Sequence, residues 1–421
     1  MASATIMICP SIAAMATALL LANSITAATL PRHNCHSFHL DVPIAAKNWT
    51  LNIPHVDNDI DTINFALDID RWSGPNTTEL VLASKDVNAT YTTYAELCFP
   101  PRGKDKNAVQ ILTHGAFFDH RYCEYASTDL IPDSADMTVP GDATFDQGSY
   151  SYVKAATDAG YTVFNYDRLN NGGSEKLDAY TVGNGENEVE TLRALTEMAR
   201  AGTFAQHIRA GSTIPHVKAF DKVIHVGHSF GSGITASLLS KYGELSSGTI
   251  LTGLLFTTHP SQSTSISQGL GYAATTDPAL FGDYPSGYII PDNINRIQSG
   301  FFHRDNMTDP AGFTDEALDY AESIKSPVTV AEWVSLRGAL PIGPSSTFSG
   351  PLEFFIGEHD ALICSGECYN NYDLAMLEDF YPLATARDVY VQPGSGHGLT
   401  LHKNATAGYD AMLGWLASNG L

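Results

Sequence analysis

The chain has 421 residues, enough for one large α/β domain with an insertion or for two small domains. Its 46 acidic against 23 basic side chains give a formal charge of -23, which argues against nucleic acid or anionic membrane surfaces as partners and suits solubility in an acidic or extracellular medium. Hydrophobic residues make up 43% of the chain, which is ordinary for a globular protein with a substantial core.

The first 28 residues read as a secretory signal. Ile12 to Ala22 is almost wholly apolar and too short to span a bilayer, and Thr26-Ala27-Ala28 offers small residues for cleavage after Ala28. No Lys or Arg precedes the apolar stretch, so only the free amino group supplies positive charge there. The expected mature chain is 29–421, secreted or in the secretory lumen, with no stable membrane anchor. Five N-x-[ST] sequons, at Asn48, Asn76, Asn88, Asn306 and Asn404, fit that route and are candidate glycosylation sites. Of six cysteines, Cys9 leaves with the signal, so an odd number remains. Cys364 and Cys368 sit in one short loop and could close a small ring. Cys35 and Cys98 are candidates for a bridge tying the N-terminal segment to a sheet, which leaves Cys123 over. No Cys/His spacing suggests zinc.

Residues from about 33 to 100 look β-rich. Asn48 to Ile53 and Thr90 to Leu97 alternate in polarity as half-exposed strands do. Apolar runs typical of parallel strands buried on both faces follow: Ala108–Thr113, Thr162–Tyr166, Val223–Val226, Gly253–Phe256, Leu352–Ile356 and Val389–Val391. Helical patterns lie between them at Tyr152–Ala159, Glu188–Ala201 and Ala407–Ala417. Strands alternating with helices imply a doubly wound, mostly parallel sheet. Residues from about 260 to 348 break the rhythm. This stretch is too long for a simple loop and reads as a cap inserted after strand six, with helical pieces at Thr314–Ser323 and Val328–Leu336.

Gly227-His228-Ser229-Phe230-Gly231 has the form G-x-S-x-G, with a buried strand before it and a helix after it. A strand that turns at once into a helix holds its central serine strained and exposed, and the flanking glycines avoid clashes. Ser229 is the expected nucleophile. A serine hydroxyl needs a base. His397 fits, on the glycine loop after the last strand, with His402 as its rival. The base needs a carboxylate to fix its tautomer. Asp360, after Ile356-Gly357-Glu358-His359, is the expected acid, with Glu358 as its rival. The alternative placement, after strand six, reads Phe256-Thr257-Thr258-His259-Pro260 and holds no carboxylate. Expected oxyanion donors are the backbone N–H groups of Phe230 and, from His114-Gly115-Ala116-Phe117, of Ala116, with Phe117 as the alternative. Asp167-Arg168 in a Gly-rich turn reads as an ion pair bracing the site floor. The insertion's Phe281, Tyr284, Tyr288, Phe301, Phe302 and Trp333 line a pocket or form its core.

Gln110 to Gly115, Phe164 to Leu169, Val226 to Ser232 and Gly396-His397-Gly398 together resemble the secreted fungal members of the α/β-hydrolase superfamily, from about Cys35 to the end. The resemblance implies an eight-stranded sheet, a helical cap and a Ser–Asp–His triad without cofactor. The sequence departs from the commoner pattern at Asn170-Asn171, where Gly-Val-Gly is usual, and at Cys123, where Trp is frequent. The expected activity is cleavage of a small-molecule carboxylic ester or lactone through an acyl-enzyme. The rivals are acyl transfer or a tailoring step on a secondary metabolite, and a non-catalytic binding protein. Epoxide and haloalkane hydrolysis are disfavoured because they use an aspartate at the elbow.

Overall fold

A computed structural model describes residues 34–70, 77–124, 147–212, 214–215, 217–256, 269–303 and 312–421. The signal segment and the sequons at Asn76 and Asn306 lie outside the described residues.

One sheet organises the chain. Its strands are β1 (Asn34–Leu51), β2 (Val81–Phe99), β3 (Ala108–Thr113), β4 (Thr162–Tyr166), β5 (Lys222–His228), β6 (Gly248–Thr252), β10 (Leu352–Gly357) and β11 (Arg387–Gln392). Their spatial order is β1-β2-β4-β3-β5-β6-β10-β11. β1 pairs with β2, and β2 with β4, antiparallel, and all later neighbours are parallel. β3, β4 and β6 are buried along their whole length, as strands covered on both faces must be. Cys35 and Cys98 are register partners of β1 and β2 and form a disulfide. Cys364 bonds Cys368, and Cys123 is free and buried.

Three elements differ from the sequence reading. Strand six is Gly248–Thr252, not Gly253–Phe256. Thr249 and Thr252 disguise it as polar, yet Ile250 and Leu251 are fully buried, and Gly253 turns the chain out of the sheet at φ 57°. The β-rich N-terminal stretch contains a helix, α1 (Asp59–Asp70), which buries Thr62, Phe65, Ala66 and Ile69 on one side. The insertion is also not purely helical. It carries a small antiparallel sheet of β7 (Leu270–Tyr272), β8 (Tyr288–Pro291) and β9 (Val328–Thr329). Val328–Leu336 is therefore not one helix: β-branched Val328-Thr329 pair in β9, and a helix begins at Val330 behind a Thr329–Glu332 capping box. Helices Ile294–Phe301 and Asp315–Ser323 complete this region.

The remaining helices sit where periodicity puts them, at α2 (Tyr152–Asp158), α3 (Gly185–Ala201), α4 (Phe230–Tyr242) and the C-terminal Ala405–Ser418. α3 starts earlier than its apolar face suggests because the Asn184 side chain caps the Asn187 N–H, and it stops at Gly202 in the left-handed region. Among the described residues no helix is long and apolar enough to cross a membrane.

Candidate active site

The elbow is built as the motif requires. β5 ends at His228 and α4 begins at Phe230, so Ser229 alone makes the turn, at φ 52° and ψ -117°. This is a costly conformation for a residue with a side chain. Its N–H donates to Thr252 O at 2.8 Å, which holds the turn against β6. A Cβ on Gly227 would lie 2.6 Å from Ser232 Cα, and one on Gly231 would strike the Thr113 and His114 carbonyls. The same tightness brings β3's loop to Ser229. A Cβ on Gly115 would lie 3.0 Å from Ser229 Cβ.

Asp360 and His397 are joined. His397 Nδ1 donates to Asp360 Oδ2 at 2.6 Å, and both side chains are fully buried. Asp360 caps the short helix Ala361–Cys364, its Oδ1 accepting the Leu362 and Ile363 N–H groups at 3.0 and 2.9 Å. The bond from Nδ1 to the carboxyl group sets the tautomer in which Nε2 is the acceptor nitrogen. That Nε2 is buried and, among the described residues, has no hydrogen-bond partner. The link to Ser229 Oγ is thus not formed in this structure, although the two residues share neighbours. The His228 and His397 rings are 4.9 Å apart, and a Cβ on Gly253 would lie 3.0 Å from His397 Cε1. Catalytic hydrogen bonds in unliganded sites are often open and tighten with substrate.

The rivals have other work. Glu358 Oε2 accepts the Gly394 N–H at 2.8 Å and braces the loop that carries His397. His402 Nδ1 lies 2.8 Å from Gly398 O, on the far side of the same loop. Of the expected oxyanion donors, the Phe230, Ala116 and Phe117 N–H groups find no acceptor among the described residues. Phe117 adopts φ 68°, and its carbonyl accepts the Ser326 N–H from the insertion.

Asp167 and Arg168 are not an ion pair with each other. Asp167 accepts His120 Nδ1 at 2.7 Å, the His120 N–H at 2.8 Å and the Gly173 N–H at 2.7 Å. Fully buried Arg168 instead donates through Nη1 to Glu188 at 2.8 Å and Glu332 at 2.7 Å. Its backbone N–H donates to His114 Nε2, and its Nη2 reaches Gly115 O at 3.4 Å. Burial, and then the Arg168 charge, push His114 down to about 3, so it stays a neutral bridge between Arg168 and the loop after β3. Burial pushes the Glu188 carboxyl well above its usual range, against the pull of Arg168.

Asn170 and Asn171 have a reason to depart from glycine. Asn170, at φ 70°, accepts the Leu177 N–H and the Tyr288 hydroxyl, and Asn171 Nδ2 donates to Pro327 O at 2.7 Å. Both tie the β4 loop to the insertion. Phe281, Tyr284 and Tyr288 pack on one another as insertion core. Phe301 lies 5.4 Å from the His397 ring and Trp333 lies 5.5 Å from Phe117, so these two border the site. Phe302 packs on Phe313 and His402.

Sequence reasoning missed His228. Its ring stacks on Tyr122 at 4.3 Å, its Nδ1 meets Thr252 Oγ1 at 3.0 Å, and burial, then His397, hold it well below the usual imidazole range. Its place just before Ser229 was the available signal. Two acidic groups among the described residues have metal-like spacing, Asp119–His120–Asp167 and Glu96–Cys98–Glu124. In them Asp119 bonds Arg121, Asp167 bonds His120, and Cys98 is in its disulfide.

Burial opposes charge on His120, yet Asp167 lifts it from 6.5 to about 10. Folding therefore gains from this proton fully below pH 6.5 and loses the gain as pH rises toward 10. Burial also pushes Glu353 up to about 8, and Glu124 likewise with help from Glu96, so each keeps a proton in the fold that the unfolded chain releases above about 4.5. All three act in one direction between pH 6.5 and 8. We expect the urea midpoint to fall across that interval, and less steeply in His120→Asn. A midpoint that rises there contradicts this account.

The sequence model of the alpha/beta hydrolase family matches residues 111–408. Among solved structures, the chain is similar to a thermophilic esterase from Thermogutta terrifontis, with TM-score 0.49 and 13% identity, covering 79% of this chain and 95% of that one. It is also similar to a bromoperoxidase from Bacillus anthracis, with TM-score 0.48 and 19% identity over 78% and 96%. A third is an epoxide hydrolase from Vigna radiata, with TM-score 0.48 and 12% identity over 78% and 95%. No curated protein sequence matches the chain. A family match over more than half the chain, on an eight-stranded mostly parallel sheet, places this protein in the alpha/beta hydrolase family.

Proposed function

We propose that this hydrolase cleaves a small-molecule carboxylic ester or lactone through an acyl-enzyme on Ser229. The observation that carries the reading is the buried 2.6 Å Asp360–His397 pair, with His397 Nε2 unengaged beside a strained serine elbow. His397 takes the hydroxyl proton as Ser229 attacks the carbonyl carbon, and Asp360 steadies the imidazolium. The N–H groups of Phe230 and Ala116 receive the oxyanion. The proton then passes to the leaving alcohol, and a water activated by the same imidazole releases the acid. Serine rather than aspartate at the elbow favours acyl over alkyl chemistry. A fluorophosphonate probe tests the proposal: it should add one adduct, at Ser229, and an unlabelled folded protein sinks it.

We also propose that the insertion acts as a cap over this site and that the chain is secreted after loss of residues 1–28. The two disulfides support an oxidising compartment. Of the described sequons, Asn88 is exposed on β2, whereas Asn404 is engaged at both ends, by Ser395 Oγ and Pro393 O. Asn88 is the expected glycan carrier. Intact mass before and after glycosidase treatment should shift for wild type and lose one glycan in Asn88→Gln. An unshifted mass in secreted wild type argues against the assignment.

A further inference from the structure

We infer that His402 is a positioning residue, a neutral imidazole that clamps the His397 loop to the insertion. The inference rests on reading His397 as the base. His402 is fully buried at the end of the turn Leu399–Leu401. Its Nδ1 lies 2.8 Å from Gly398 O, and a carbonyl only accepts, so Nδ1 carries the proton. Nε2 is then a bare lone pair, and two backbone N–H groups converge on it. Gly396 N–H donates at 3.0 Å and His303 N–H at 3.3 Å. Gly396 belongs to the catalytic loop, and His303 follows the insertion helix Ile294–Phe301.

The residues flanking His397 are therefore both held. Gly396 is held through its N–H by His402. Gly398 is held through its carbonyl by His402 and through its N–H by Phe301 O at 2.7 Å. Phe302 stacks on the His402 ring at 5.6 Å, Phe313 meets it edge-on, and Lys403 N–H donates to Gly312 O at 2.8 Å. The insertion thus grips the base loop from both sides, and His402 is the common partner. A ring nitrogen that accepts from both segments couples the insertion's position to the reach of His397. An imidazolium would turn an N–H toward two N–H donors, so the clamp requires the neutral ring.

The test compares His402→Phe, which keeps a ring for Phe302 and Phe313, with His402→Gln, which keeps an acceptor. Displacing the base by about 1 Å predicts a fall in kcat of about 10²-fold for His402→Phe, with KM nearly unchanged, and most of the loss restored in His402→Gln. Wild-type kcat in folded His402→Phe overturns the inference, as does an equal loss in both variants. If His402→Phe does not fold, ¹⁵N-histidine NMR of the wild-type chain decides. At neutral pH His402 should be the Nδ1–H tautomer, and the Nε2–H tautomer or an imidazolium overturns the clamp. That spectrum does not depend on turnover. A wild-type chain that fails to label at Ser229 therefore condemns the hydrolase reading, while the clamp stands or falls on the tautomer.

Discussion

Ser229→Ala should lower kcat by about 10⁶-fold, the scale seen when a triad nucleophile is removed. Melting temperature should stay near wild type. The reason lies in how little the hydroxyl does for the fold. Ser229 is a helix N-cap without a side-chain cap bond, and its Oγ has no hydrogen bond among the described residues. The strained turn is held by backbone, through the Thr252 carbonyl and Gly233 N–H, and alanine keeps both bonds. A residual rate of about 10³-fold over water should survive, supplied by the oxyanion donors and substrate binding. Steady-state kinetics on a simple ester, paired with a thermal melt, check both halves. A variant that keeps a tenth of wild-type turnover would show that another residue is the nucleophile.

Arg168→Ala should be the most destabilising single substitution near the site. It leaves Glu188 and Glu332 facing each other in a dry interior, each about 1% exposed, with no cation between them. Removing one member of a buried ionic cluster typically costs about 3–5 kcal/mol. For a chain of this size that is a fall of roughly 5 °C in melting temperature. The loss should extend to catalysis, because the guanidinium also reaches Gly115 O, at 3.4 Å, in the loop expected to supply an oxyanion donor. We expect fluorophosphonate labelling at 15 °C, where both proteins are folded, to slow by up to about 10²-fold, as when one oxyanion donor is lost. Adding Glu188→Gln should recover part of the stability and none of the labelling rate. Equal melting temperatures for wild type and Arg168→Ala would refute this reading of the cluster.

The serine turn was legible because its geometry is local. A turn that tight needs glycines at 227 and 231, and the strand and helix around it are written in adjacent residues. His397 was legible for the same reason, through its glycine loop, and so was the Cys35–Cys98 bridge between two strands. Arg168 shows where legibility ends. Its carboxylate partners lie 20 and 164 residues away, and no spacing rule links them, so the adjacent Asp167 looked like its mate. β6 was misplaced because two threonines hide a buried strand, since a sheet interior accepts a hydroxyl that finds a carbonyl. Thr252 does so at Gly227 O. α1 was lost inside a β-rich stretch because its short apolar face is interrupted by aspartates. Asp360 and Glu358 were both open as the acid from sequence, and it is Asp360 that meets His397, at 2.6 Å.

The insertion's attachments bear on how such an enzyme can change its specificity. Asn171 grips Pro327 O, Arg168 grips Glu332, and Gly398 and His402 grip Phe301 and His303. Each bond joins a residue of the insertion to the loop after β4 or to the segment that carries His397. The segment is not a detachable module. A graft from a relative would arrive without these partners and leave the catalytic loops unsupported, however well it fitted a new substrate. Divergence in this lineage is therefore expected to be paired, with Asn170, Asn171 and His402 changing in step with the insertion they hold.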